Sequence, residues 1–179
     1  MKINQIPYQK TKLKNKIRKL YNESFPDDER VPFNILVKLL DDKNVEFLSF
    51  EDEKTLYGLV FNILYKDIVY VFYLAVNPSL RNQGYGSYIL QAVKQRYKES
   101  RIILMIEEVN EKYDNFEERK NRLRFYENNG FHRFGYLHHE YRVDYEMLGM
   151  GEYVSREEYI ELMYSVFPKE RYDYAMNLY

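Results

Sequence analysis

Tyr73-Leu74-Ala75-Val76-Asn77-Pro78-Ser79-Leu80-Arg81-Asn82-Gln83-Gly84-Tyr85-Gly86-Ser87 is the stretch on which the fold turns. Its first residues end an apolar run that begins at Ile68 and is hydrophobic on both parities, the pattern of a central strand covered on both faces. Asn77-Pro78 stops the strand, and Ile89, Leu90, Val93 and Tyr97 then fall at helical spacing, predicting a helix over 84–97. Between strand and helix stand one basic residue, Arg81, and two spaced glycines, Gly84 and Gly86. Glycines let backbone N–H groups converge on an anion at a helix start, where the helix dipole adds partial positive charge. Such a nest suits a phosphate or pyrophosphate.

Two familiar phosphate loops do not match. A P-loop ends in Gly-Lys-Ser/Thr, and here Gly86-Ser87 has no Lys. The dinucleotide fingerprint needs a third glycine, and that position is Ile89.

Outward from this stretch the chain alternates helix and strand signals. A helix is expected over 12–23, with Leu13, Ile17, Leu20 and Tyr21 at helical spacing, ended by Phe25-Pro26. Asp27-Asp28-Glu29-Arg30 reads as a charged loop, and Pro32 opens a second helix that buries Phe33, Leu36, Val37 and Leu40. Strands are expected over 45–50, 55–65 and 68–76, with Lys66-Asp67 as a tight connection. The short apolar run 102–106 predicts another strand, ending in Glu107-Glu108. A helix over 115–128 should bury Phe116, Leu123 and Tyr126 or Phe125, and Asn129-Gly130 supplies a left-handed cap. Strands over 132–137 and 141–148 close the sheet, and Ser155-Arg156-Glu157-Glu158 has the pattern of a capping box before Tyr159, Leu162 and Met163. A short helix or tail follows Pro168. No repeat or linker divides the 179 residues, so a single α+β domain is expected.

Composition narrows the class. Hydrophobic residues make up 45% of the chain, enough to pack a core. Lys and Arg number 27 against 28 Asp and Glu, a balance that argues against bulk nucleic-acid binding. The locally basic residues Lys10, Lys12, Lys14, Lys16, Arg18 and Lys19 read as the solvated face of the first helix. With no cysteine, disulfides, thiol nucleophiles and thiolate metal sites are excluded. Three histidines, of which the neighbours His138 and His139 point to opposite faces of a strand, make no convincing metal set. Met1-Lys2-Ile3-Asn4 leads into polar sequence, with no long apolar run to enter a membrane, so a cytoplasmic protein is expected. Twenty Tyr and eleven Phe mean that no single tyrosine stands out as catalytic by type alone.

Arg81-x-x-Gly84-x-Gly86 resembles the R/Q-x-x-G-x-G/A signature of the GNAT superfamily of acyl-CoA N-acyltransferases. Two further segments carry the likeness. Tyr73-Leu74-Ala75-Val76-Asn77-Pro78 resembles that superfamily's central strand, and Asn121 followed by Phe125-Tyr126-Glu127-Asn128-Asn129-Gly130-Phe131 resembles its second signature. The likeness extends over about 56–134, and the region after Leu137 departs most from it. It implies a mixed, mostly antiparallel central sheet flanked by helices on both faces, and acetyl-CoA as cosubstrate without a metal. By the same likeness, the backbone of Leu74, Ala75 and Val76 would pair with the pantetheine arm. The amides of Asn82, Gln83, Gly84, Tyr85, Gly86 and Ser87 would hold the pyrophosphate, with Arg81 as charge partner. Asn121 would bond to the pantetheine arm, and Tyr126 would lie near the thioester sulfur and protonate the departing thiolate.

Acyl transfer to an amine needs that amine neutral, so a base is required. Glu107 is the preferred candidate, directly or through water, with Glu108 as the other. Asp27, Asp28 and Glu29, with Glu107, Glu108 and Glu111, suggest an acidic rim suited to a cationic small-molecule amine. The resemblance leaves open a protein acetyltransferase acting on a lysine or an N-terminal amine, and a non-catalytic acyl-CoA-binding module. Neither nucleic acid nor membrane is expected as partner, and a homodimer is expected by analogy with the family.

Overall fold

The computed structural model describes residues 3–27, 30–140 and 142–176. Asp28 and Glu29 of the charged loop, Tyr141 at the expected start of the last strand, and Met1-Lys2 lie outside the described residues. The strands β1 (Asn4–Pro7), β2 (Val45–Glu51), β3 (Leu56–Tyr65), β4 (Ile68–Val76), β5 (Arg101–Glu107), β6 (His132–Glu140) and β7 (Val143–Met150) hydrogen-bond in the order β1-β2-β3-β4-β5-β7-β6. The sheet is mixed: β4 and β5 run parallel and the other registered pairs antiparallel. Two compact units share β4: residues 1–64 and 71–96 form one, and residues 65–70 and 97–179 the other.

The first unit contains β1 (Asn4–Pro7), α1 (Lys14–Ser24), α2 (Phe33–Leu39), β2 (Val45–Glu51), β3 (Leu56–Tyr65, except its last residue), the outgoing part of β4 (Ile68–Val76) and α3 (Tyr85–Arg96). β1 was not expected: Asn4-Gln5-Ile6-Pro7 has one apolar residue besides its proline, too little for a periodic signal. Its pairing with β2 supplies the order instead, Ile6 opposite Ser49, whose hydroxyl donates to the Ile6 carbonyl at 3.1 Å. In α1 the apolar stripe Ile17, Leu20 and Tyr21 is buried, and Lys14, Lys16, Arg18 and Lys19 surround it. Pro32 is the residue before α2, and Phe33 and Leu36 are buried while Val37 and Leu40 are only half-buried. These helices meet the sheet through aromatic rings. Tyr21 packs edge-on to Tyr73 at 5.0 Å and Phe33 to Phe47 at 6.1 Å, and within the sheet Phe47 meets Phe61 at 5.4 Å.

In the second unit β4 pairs in parallel with β5 (Arg101–Glu107), Ile68 opposite Arg101. β5 pairs along its length with β7 (Val143–Met150), which pairs with β6 (His132–Glu140). β6 extends three residues past the expected end at Leu137, because a bulge between Arg133 and Leu137, with Gly135 at φ +79°, restores pairing beyond it. Two helices end the chain, α5 (Arg156–Tyr164) and α6 (Lys169–Met176), preceded by α4 (Phe116–Asn128). The capping box forms as expected: the Ser155 hydroxyl accepts from the Glu158 amide at 3.2 Å, and the Glu158 carboxylate accepts from the Ser155 amide at 2.9 Å. Tyr159, Leu162 and Met163 are buried beneath it.

Candidate active site

The glycine loop is set by the elements beside it. Asn77 locks the end of β4: its side-chain Nδ2 donates to the Leu56 carbonyl at 2.8 Å, and its Oδ1 accepts from the Ser79 amide at 3.1 Å. That second bond starts a 3-10 turn, Pro78–Leu80. Arg81 leaves the turn in an extended conformation, Asn82 is left-handed at φ +61°, and Gly84 is left-handed at φ +83°. Asn tolerates this conformation and Gly adopts it without cost, so two reversals of direction fit within three residues. α3 begins at Tyr85, and its first turn closes with a bond from the Tyr88 amide to the Gly84 carbonyl at 3.0 Å. The amides of Tyr85, Gly86 and Ser87 therefore precede any intrahelical acceptor, the usual condition of a helix's first turn. Arg81, Asn82, Gln83 and Gly84 are exposed, and Tyr85, Gly86 and Ser87 half-buried. Unlike Gly84, Gly86 has no positive φ; it contributes only the absence of a side chain.

Gly58, which sequence reasoning passed over, seats this loop. A Cβ there would stand 2.5 Å from the Ala75 carbonyl oxygen and 2.5 Å from Ile89 Cδ1. Only a glycine lets β3, β4 and α3 approach so closely. An isolated glycine inside a strand pattern is the signal that could have found it. β4 itself is buried on both faces only from Ile68 to Val71, whereas the expectation was cover on both faces throughout. Beyond that point Tyr73 and Ala75 stay buried, while Phe72, Leu74 and Val76 are half-buried.

In the second unit, α4 carries the other expected residues. Asn121 is exposed, and its side-chain oxygen accepts a long 3.4 Å bond from Arg124. Tyr126 is half-buried between Phe125 and Phe131, with ring centroids 5.1 and 5.8 Å away. Burial of its phenol raises the pKa above the ordinary value, and the Arg122 charge opposes that rise. The helix ends in a Schellman arrangement: the Phe131 amide bonds to the Tyr126 carbonyl at 3.1 Å, and the Gly130 amide to the Glu127 carbonyl at 2.9 Å, with Gly130 at φ +89°. The Asn129-Gly130 cap thus forms as expected, and it fixes Tyr126 from below. Burial within α4 differs from expectation, with Arg119 and Leu123 buried and Phe116, Phe125 and Tyr126 half-buried.

Glu107 and Glu108 are both engaged. Glu107 Oε1 pairs with Arg119 at 2.7 Å, and its Oε2 with Arg122 at 2.6 Å. The expected base therefore has each carboxylate oxygen held by a guanidinium, and taking a proton would require giving up one of these bonds. Glu108 accepts from Lys112 at 2.8 Å, Tyr113 at 3.0 Å and Asn110 at 3.2 Å, and Lys112 foremost holds its pKa below the usual carboxylate range. Arg119 was also missed, because a buried arginine leaves no mark in an apolar pattern. Its Nε donates to Asn115 at 2.7 Å and its Nη1 to the Glu108 carbonyl at 2.9 Å, and its guanidinium lies 3.8 Å from the Tyr113 ring centroid. Of the acidic rim, Asp27 and Glu111 are exposed, and Asp28 and Glu29 lie outside the described residues. Among the described residues no cluster of three His, Cys, Asp or Glu could hold a metal ion.

The acetyltransferase (GNAT) domain profile matches residues 34–133, more than half of the chain, and this span contains the glycine loop and the α4 signature. The chain belongs to the GNAT acetyltransferase family. Solved structures agree on the fold. A GNAT-family protein of Bacteroides thetaiotaomicron superposes with a TM-score of 0.73 at 23% identity, covering 92% of this chain and 95% of that one. An aminoglycoside 6′-N-acetyltransferase complexed with coenzyme A gives 0.67 at 15% identity, covering 87% and 100%. The ribosomal-protein-S18-alanine N-acetyltransferase of Escherichia coli gives 0.63 at 14%, covering 86% and 99%. Among curated protein sequences none matches.

Proposed function

We propose that this GNAT protein transfers the acetyl group of acetyl-CoA to a primary amine of a small-molecule acceptor by direct attack. The observation that carries this reading is the pair of left-handed residues, Asn82 and Gly84, turning the chain into the first turn of α3. The amides from Asn82 to Ser87 hold the pyrophosphate, Arg81 adds charge, and Leu74, Ala75 and Val76 offer strand backbone to the pantetheine arm, with Asn121 as a further partner. Solved relatives of the same fold are complexed with coenzyme A or acetyl-CoA, which supports this donor.

The neutral amine nitrogen attacks the thioester carbonyl carbon, and the tetrahedral intermediate collapses by breaking the carbon–sulfur bond. The thiolate so released takes the Tyr126 phenolic proton. A phenol is protonated at neutral pH with or without burial, so the proton is present; the raised pKa of Tyr126 makes it a weaker acid, and its role rests on its place in the α4 signature. Because the oxygens of Glu107 and Glu108 are occupied, we assign the proton lost by the amine nitrogen to water rather than to either carboxylate, and solvent returns a proton to the Tyr126 phenolate. An aminoglycoside acetyltransferase among the relatives supports a small cationic acceptor. The ribosomal-protein acetyltransferase of the same fold supports a second reading, transfer to a protein amine. We propose a cytoplasmic enzyme that acts as one domain and pairs into a homodimer, as the family resemblance suggests. No helix among the described residues is long and apolar enough to cross a membrane.

Thermal melting with and without acetyl-CoA tests the donor. Saturating acetyl-CoA should stabilise the wild type by about 2–3 kcal/mol at a hundredfold excess over its dissociation constant. Gly84→Glu, which sets a strained backbone and a negative charge in the nest, should lose that gain; equal stabilisation of both would remove the loop from CoA binding. CoA release with spermidine, an aminoglycoside, a lysine peptide and an N-terminal alanine peptide then separates the acceptor readings. Release with the peptides alone would overturn the small-molecule reading.

A further inference from the structure

Glu107 ends β5 with a carboxylate gripped on both sides by one helix. Arg119 and Arg122 lie three residues apart on α4, and each takes one oxygen, at 2.7 and 2.6 Å. The grip is built rather than incidental. The Arg119 side chain is only 8% exposed, its Nε, Nη1 and Nη2 all have acceptors, and these lie on β5, the connection after it and Asn115, the residue that precedes α4. Tyr113 covers the guanidinium face. Two bonds from successive helical turns to one rigid carboxylate fix both the rotation and the axial position of the helix, which a single bond does not.

Tyr126 lies one turn beyond Arg122 and two beyond Arg119, on the same side as buried Leu123. It is therefore set from two ends, by the arginine grip toward the start of α4 and by the Phe131 cap at its finish. We infer that Glu107 is a positioning residue: through Arg119 and Arg122 it holds α4 in the register that delivers the Tyr126 phenol to the leaving sulfur. This rests on Tyr126 being the acid, and it replaces the role of base for Glu107.

The test needs no acceptor. Calorimetric affinities for CoA and for desulfo-CoA, at about pH 9 where a substantial share of the thiol is ionised, isolate the interaction with sulfur. A phenol donating to that sulfur should favour CoA by about tenfold, the weight of one charge-assisted hydrogen bond. Tyr126→Phe should abolish the preference. Glu107→Gln should abolish it as well while leaving desulfo-CoA affinity unchanged, and Arg122→Lys alone, which keeps the ion pair with Glu107, should retain most of it. Arg122→Gln, at an exposed position, gives the same reading should Glu107→Gln fail to fold.

Each failure has its own meaning. A preference that survives Tyr126→Phe removes Tyr126 from the sulfur and overturns the reading on which this inference rests. A preference lost in Tyr126→Phe but intact in Glu107→Gln and Arg122→Gln overturns the positioning role alone. Loss of desulfo-CoA affinity in Glu107→Gln also overturns it, because the grip would then serve binding at large.

Discussion

Single residues carry opposing electrostatic loads in the second unit. Glu140 is buried, and burial pushes its carboxyl up to about 7. His138, two positions earlier and also buried, is pushed down to about 4, by burial first and then by the Arg156 and His139 charges. It meets the Tyr172 hydroxyl through Nε2 at 3.0 Å. A carboxyl raised on folding stabilises the fold fully below its unfolded pKa of 4.5 and loses that contribution as pH climbs through about 7. A histidine depressed on folding contributes above its unfolded 6.5 and loses that contribution as pH falls through about 4. Between 4.5 and 6.5 the two slopes oppose each other, each with a span on the order of 3 kcal/mol. Glu140→Gln should therefore make melting temperature fall more steeply toward acid than in the wild type, and should raise it above neutral pH. Parallel curves would show that folding leaves the Glu140 pKa where it stands in the unfolded chain.

Helix ends supply the clearest tests at the level of elements. In α5 the Ser155 hydroxyl satisfies one amide of the first turn, and its loss in Ser155→Ala should cost about 1 kcal/mol. Glu158→Ala should cost more, because the same carboxylate that closes the box also pairs with Arg101 of β5 at 2.8 Å. Equal costs, measured by denaturant unfolding, would show the ion pair to be without weight. The sequence pattern was informative at just such ends. The Ser155 box and the Asn129-Gly130 cap each depend on chemistry within six residues, and both formed where expected. β4 was legible to the residue because its apolar run is bounded by a two-residue turn and by Asn77-Pro78. β1 and the far end of β6 were not, since their order comes from a neighbouring strand and from a bulge rather than from their own periodicity.

Across the whole molecule, the family could be read from two motifs, but the state of the site residues could not. Glycine spacing reports a backbone conformation, and Gly84 adopts it. A glutamate at a strand end carries no mark of what will meet it, and Glu107 met arginines twelve and fifteen positions later. Gly58 illustrates the same limit, because its neighbours Ala75 and Ile89 arrive from two other elements.

Long-range ties of this kind also govern motion. Val31 lies in the connection between α1 and α2, in neither helix nor strand, yet its amide donates to the Tyr73 hydroxyl at 2.9 Å and its carbonyl accepts from Tyr21 at 2.7 Å. In heavy water its proton should persist as a strand proton does, waiting on an opening that frees β4's tyrosine. Tyr73→Phe should let that proton leave at the rate of an open peptide, while Tyr21→Phe, which strips only the carbonyl, should leave it protected. Nuclear magnetic resonance can follow this one site, and its clock would time how often the connection lets go of the central strand.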